Sequence, residues 1–84
     1  MKNWKERLDE ADKLRPRTLV EIYGCDRILV EHHRGILGYG TQCIRIAATY
    51  GELVVEGEDL RLCCMSRSQL VIRGRIQSAT MEER

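Results

Sequence analysis

After Pro16 the chain alternates apolar and polar residues with a period of two, and no other feature of the sequence constrains the fold more. Successive side chains on a β-strand point to opposite faces, so this alternation predicts strands with one buried face and one solvated face. Glycine-rich or polar stretches interrupt the pattern at four places: 24–26, 50–51, 57–59 and 66–69. Such short connections cannot join parallel strands. The pattern therefore predicts an antiparallel β-meander of about seven strands over residues 18–81.

A sheet with a single apolar face needs a cover. The chain has 84 residues, of which 32% are charged, and its net charge is +1. A domain of this size buries only roughly 60–65% of the surface that its unfolded chain exposes, so its core is thin. We expect the sheet to fold over itself into a rolled sheet or small sandwich, and self-association would bury further apolar surface. The sequence predicts one mainly β domain over residues 1–84 that forms a homo-oligomer.

The amino-terminal segment follows a different period. Trp4 and Leu8 lie four residues apart, and Leu14 continues the same apolar stripe. This spacing predicts a short amphipathic helix over residues 1–15, which Pro16 ends. A helix this short is marginal on its own in water, so we expect Trp4 and Leu8 to dock on this domain, on a second copy or on a partner.

The same segment interleaves acidic and basic residues and contains no apolar stretch, so we do not expect a signal peptide. No apolar run in the chain is long enough to predict a membrane-spanning helix. We therefore expect a cytoplasmic protein whose four cysteines are reduced. Because three of the cysteines lie in β-patterned segments, we expect Cys43, Cys63 and Cys64 to be buried structural residues.

The stretch "VEHHRGILGY" at 30–39 concentrates the residue types that carry chemistry. Adjacent histidines on a strand point to opposite faces, and the spacing Cys-x6-His-His-x9-Cys matches no common zinc site. We expect no metal, no cofactor and no catalytic residue here, and a small metal-binding protein is the weakest alternative. The stretch is predicted either to tie a tight turn together or to form a recognition surface. The candidate residues are Glu31, His33, Arg34, Gly35 and Tyr39.

This stretch resembles the core of the YabP/YqfC family of sporulation proteins, "IENHRGIL-Y". The matching positions are Glu31, His33, Arg34, Gly35, Ile36, Leu37 and Tyr39. The chain departs from that core at His32, where the family typically has asparagine, and at Gly38, where a polar or acidic residue is usual. A weaker apolar and glycine spacing continues downstream, so the resemblance covers roughly residues 18–80, and the amino-terminal segment is similar to the YqfC-like branch.

The resemblance implies a non-enzymatic role in endospore formation in Firmicutes, as an assembly or scaffold component in the cytoplasm of the mother cell. It also implies a membrane-bound sporulation protein, similar to YqfD, as a candidate partner. The family has no assigned catalytic residues, so none can be carried over to this chain.

An RNA-binding module is the alternative function. Four arginines alternate with apolar residues and can share the solvated face: Arg45, Arg61, Arg73 and Arg75. A helix followed by a small meander with "VIRG" at 71–74 is also distantly similar to Sm-like RNA-binding proteins. Neighbouring segments, however, carry Glu52, Glu56 and Glu58, which we expect to pair with the arginines across strands. Nucleic acid is therefore not the expected partner.

Overall fold

The computed structural model describes residues 16–83, which form six β-strands and no helix. The strands are β1 (Leu19–Tyr23), β2 (Arg27–Glu31), β3 (Ile36–Tyr39), β4 (Cys43–Ala48), β5 (Gly51–Cys63) and β6 (Gln69–Glu83). All strand pairs are antiparallel, which confirms the predicted mainly β, antiparallel class. The helix predicted for residues 1–15, with Trp4 and Leu8, lies outside the described residues.

The six strands form one sheet in the order β1-β2-β6-β5-β4-β3. The predicted simple meander is wrong at one point, because β2 is not followed in the sheet by β3. It pairs instead with the first residues of β6, with Val30 opposite Leu70 and Ile28 opposite Ile72. Local alternation marks each strand but carries no information about a partner forty residues away, so the sequence pattern could not reveal this pairing.

The turn predicted at 57–59 is also wrong, which is why the described residues hold six strands where about seven were expected from turn-forming residues. These residues stay within the long strand β5, at two β-bulges where its register with β6 shifts. A Cβ on Gly57 would overlap the carbonyl oxygen of Arg75, and one on Gly74 would lie 2.6 Å from the carbonyl oxygen of Asp59. Glycine thus allows the two backbones to approach closely at this point.

The bulges allow the sheet to bend, and the connection between β2 and β3 requires a bend. Four residues separate Glu31 from Ile36, and the five Cα–Cα steps between them span about 17 Å at most. Glu31 is aligned with Gln69 of β6, whereas Ile36 is aligned, through β4 and β5, with Met81. Twelve residues of a straight strand would cover about 40 Å, so β5 and β6 must curve. The sheet itself is open, with β1 and β3 at its edges.

The core unites both ends of the bent sheet. Nine side chains in it are at most 1% exposed, and all are isoleucine, leucine or valine: Ile28, Val30, Ile44, Ile46, Leu53, Val55, Leu60, Leu70 and Ile72. The buried core is therefore aliphatic, and the cysteines contribute less than predicted. Cys43 and Cys63 are half-buried, and Cys64 is exposed because it follows β5 in a left-handed conformation with φ of 54°.

Candidate functional site

The histidine stretch leaves β2 and crosses to β4, so it is not the tight turn between paired strands that was predicted. β2 ends at Glu31, and His32 has a φ of 58°, which takes it out of phase with the buried residues of the strand. The backbone N–H of Arg34 donates to the carbonyl of Ala47, and the N–H of Ala47 donates to the carbonyl of Gly35, both at 2.8 Å. We call residues 32–35 the crossing link.

The side chain of His33 holds the crossing link through both ring nitrogens. The backbone N–H of Gly35 donates to Nδ1 at 3.1 Å. Because Nδ1 accepts, the proton lies on Nε2, which is 3.1 Å from the carbonyl oxygen of Ser66 and donates to it. The ring thus joins the crossing link to the loop between β5 and β6, and neither nitrogen is left over to act as a metal ligand or as a base.

Thr18 holds the link from the other side, and sequence reasoning missed it. Thr18 is 5% exposed, and its hydroxyl donates to the carbonyl of His32 at 2.7 Å. Its backbone and hydroxyl also exchange two hydrogen bonds of 3.1 Å with Thr49, in the turn between β4 and β5. Nearby, the guanidinium of Arg34 donates to the carbonyl of Pro16 at 3.3 Å. A single threonine at the start of a strand carries no sequence signal that would reveal such a role.

Tyr39, in contrast, belongs to the edge of β5 and not to the crossing link. The backbone N–H of Leu62 donates to its hydroxyl at 3.3 Å, although the side chain is 57% exposed. The loop after Tyr39 accepts two further hydrogen bonds from β5. The backbone N–H of Gly57 donates to the carbonyl of Gln42, and the N–H of Leu60 donates to the carbonyl of Thr41. β4 pairs with β5 only as far as Glu56, so Tyr39 and this loop satisfy the strand beyond that point.

The candidate residues therefore do not form one site. His33, Arg34 and Gly35 come together, Tyr39 contacts β5, and Glu31 ends β2 with a half-buried side chain. Within residues 16–83, no group of three or more histidine, cysteine or acidic side chains could hold a metal ion. The same part of the chain contains no helix that is long and apolar enough to cross a membrane. The contacts at the crossing link hold backbone segments in place.

Two arginines on the solvated face are paired with glutamates, as the sequence predicts. Arg45 donates to Glu52 and lies 3.6 Å from Glu82, and Arg75 donates to Glu58 at 3.1 Å. The hydrogen bond from Glu52, together with its charge, raises the pKa of Arg45 above its ordinary value. The first pair links β4 to β5 and the second links β6 to β5, and such exposed pairs contribute little stability.

Three other arginines line up across neighbouring strands, and sequence reasoning overlooked one of them, Arg27. In the register of β2, β6 and β5, Arg27 is opposite Arg73, and Arg73 is opposite Arg61. We call these three residues the arginine row. Tyr23 of β1 continues the row, and the guanidinium carbon of Arg27 lies 4.7 Å from the centre of its ring. The Tyr23 hydroxyl donates to Glu21 at 2.6 Å, which raises its pKa above the ordinary value.

The fold and these contacts define a small, mainly β domain, a bent antiparallel sheet whose histidine-arginine-glycine link is held by hydrogen bonds to the backbone. The chain belongs to the YabP family, since the model of that family matches residues 15–84. Neither a curated protein nor a solved structure matches the chain. The family predicted from the sequence is thus confirmed, and its name indicates a sporulation-related protein. The YqfC-like branch stays a prediction.

Proposed function

We propose that this protein is a non-enzymatic component of endospore formation that acts by binding other proteins, as an assembly or scaffold element. The observation that carries this proposal is the match to the YabP family, which extends over residues 15–84 and so includes every described residue. The contacts of the crossing link support it, because the ring nitrogens of His33 are engaged in holding backbone and not in an arrangement for proton transfer.

The edges of the sheet support a binding role. β1 and β3 each pair on one side only, so each presents unpaired backbone groups to which another strand can add. Both edges also carry exposed apolar side chains: Leu19 and Ile22 on β1 are 51% and 56% exposed, and Leu37 on β3 is 51% exposed. Strand addition at such an edge would satisfy the backbone and bury these side chains together.

The proposal includes self-association through these edges and a membrane-bound sporulation protein, similar to YqfD, as the further partner. It places the protein in the cytoplasm of the mother cell. These elements come from the family resemblance and from the exposed edges, and each is open to direct measurement.

The test combines a deletion with an edge variant. We expect deletion of the gene from an endospore-forming host to lower the yield of heat-resistant spores, and the intact gene to restore it. In the variant Ile22→Lys a charge on the edge strand should block strand addition, so oligomers seen by light scattering and partners recovered from sporulating cells should both be lost. Met65→Lys is the matched control, because Met65 is 59% exposed but lies in the loop after β5.

Two results would overturn the proposal. One is a normal spore yield without the gene. The other is a strictly monomeric wild-type protein that recovers no partner specific to sporulating cells. Thermal unfolding of both lysine variants separates lost binding from lost folding.

A further inference from the structure

The arginine row places like charges where a sheet ordinarily avoids them. Residues directly opposite each other on neighbouring antiparallel strands have their Cβ atoms about 5 Å apart, and like charges at such positions are destabilising. Arg73 has an arginine opposite it on both sides, Arg27 on β2 and Arg61 on β5. Since register partners project to the same face, the three side chains share one surface, and all three residues are exposed.

Within residues 16–83 no acidic side chain forms an ion pair with the row, although Asp26 and Asp59 lie nearby. Arg27 stacks on Tyr23, and the guanidinium groups of Arg61 and Arg73 make no ion pair or hydrogen bond with another described residue. At the other end of the same sheet Arg45 has two glutamates beside it. The row thus differs from Arg45 and Arg75, each of which has a glutamate beside it. Repulsion between these like charges destabilises the sheet, and no ion pair within the described residues offsets it. This points to an anion from outside the chain as the ligand of the row.

The surroundings of the row indicate which anion it takes. An open cavity of about 660 Å³ adjoins it, and two aspartates contribute to the lining with Arg61 and Arg73, namely Asp26 and Asp59. These carboxylates would repel a long polyanion such as RNA along its length, whereas separate carboxylates can be placed away from them. On the same face, two residues along the strands from Arg27 and Arg73, Leu29 is opposite Val71, and both are half-buried. An apolar strip beside the arginines suits a peptide better than a nucleic acid backbone.

We propose that the arginine row binds carboxylates of an acidic peptide segment of a partner protein, with apolar side chains of that segment on Leu29 and Val71. The inference rests on the proposed function, which is protein binding, and adds the chemistry of the partner. The planar guanidinium group matches the geometry of a carboxylate and can donate two parallel hydrogen bonds to it. Binding also removes the repulsion that the row stores in the free protein.

The experiment uses the full chain and a fluorescent peptide that alternates glutamate with leucine. We expect saturable binding by fluorescence anisotropy that weakens as salt is added. Arg73→Gln should weaken binding about tenfold, because it removes the central charged donor. Arg67→Gln is the matched control, since it loses the same charge from an exposed residue in the loop between β5 and β6. Arg61→Gln is the second row variant and should behave as Arg73→Gln does.

Several results would overturn the inference: no saturable binding, an equal loss in Arg67→Gln and in both row variants, or tighter binding of a short oligouridylate than of the peptide, which would make the row a nucleic acid site. The row variants should unfold at a temperature no lower than the wild type, because they relieve repulsion. If the peptide does not bind while the deletion still abolishes spores, this inference fails and the proposed function stands. If the peptide binds but the deletion has no effect, the proposed function fails.

Discussion

Replacing His33 with alanine tests whether the crossing link is held by the imidazole ring. The change removes two hydrogen bonds of 3.1 Å, one from the backbone N–H of Gly35 to Nδ1 and one from Nε2 to the carbonyl of Ser66. Each such bond contributes about 1 kcal/mol net, so we expect the free energy of unfolding to fall by about 2 kcal/mol. For a domain of this size the midpoint of thermal unfolding should fall by roughly 8–16 °C.

Chemical unfolding followed by circular dichroism measures this free energy, and the slope of the transition should not change. Two matched variants locate the effect. His33→Asn keeps a side-chain oxygen that can accept from the N–H of Gly35 but cannot reach Ser66, so about half of the loss should be recovered. His32→Asn should stay within about 0.5 kcal/mol of the wild type, because asparagine tolerates the left-handed conformation at φ 58°.

One combination of results would refute the reasoning. If His33→Ala unfolds within about 0.5 kcal/mol of the wild type, the hydrogen bonds seen at the ring contribute nothing measurable. A loss of partner binding in that stable variant would then make the crossing link a recognition surface. A destabilised variant that still binds its partner in the cold would confirm the structural role.

Two further changes have clear expected outcomes. Gly57→Ala should lower the free energy of unfolding by about 3 kcal/mol or more, because its Cβ would overlap backbone that cannot move aside. Gly38→Ala is the matched control and should stay within about 1 kcal/mol of the wild type, since its Cβ would meet only the Arg45 side chain at 3.7 Å. Equal stability of the two variants would contradict the close approach of β5 and β6. Glu21→Gln should lower the pKa of Tyr23 in an NMR titration, because the carboxylate accepts from the hydroxyl and disfavours the phenolate. The stabilisation from that hydrogen bond is present below pH 10 and is lost as the pH rises through the raised pKa of Tyr23. An unchanged pKa of Tyr23 in Glu21→Gln would count against the contact.

The strands and the core were predictable because they depend on local alternation. Ile44 and Ile46 alternate with Arg45 in the sequence, and the structure buries the first two and exposes the third. Strand order was not predictable, because the pairing of β2 with β6 is set by contacts between distant parts of the chain. The glycine and acidic residues at 57–59 are typical of both a turn and a bulge, and only the long partner strand β6 decides between them.

The candidate site was predictable in part. The motif located the crossing link, and His33 and Arg34 do hold it in place. The strand assignment of His32 was wrong because a left-handed histidine has no signature in the sequence. The arginine row depends on a register across three strands, so the sequence could show that arginines alternate with apolar residues but not that Arg73 faces two of them.

The pairing of β2 with β6 also has a consequence for synthesis on the ribosome. The hairpin of β1 and β2 emerges first, but its partner is the last strand of the sheet: Val30 must wait for Leu70, forty residues later. Strands β3 to β6 are consecutive in sequence and can pair one after another as they emerge. The hairpin can pair with β6 only after β6 has emerged. Such long-range closure is slow and leaves an apolar hairpin exposed in the nascent chain. We therefore expect premature termination before β6 to yield a chain that aggregates, even though most of its residues have been made.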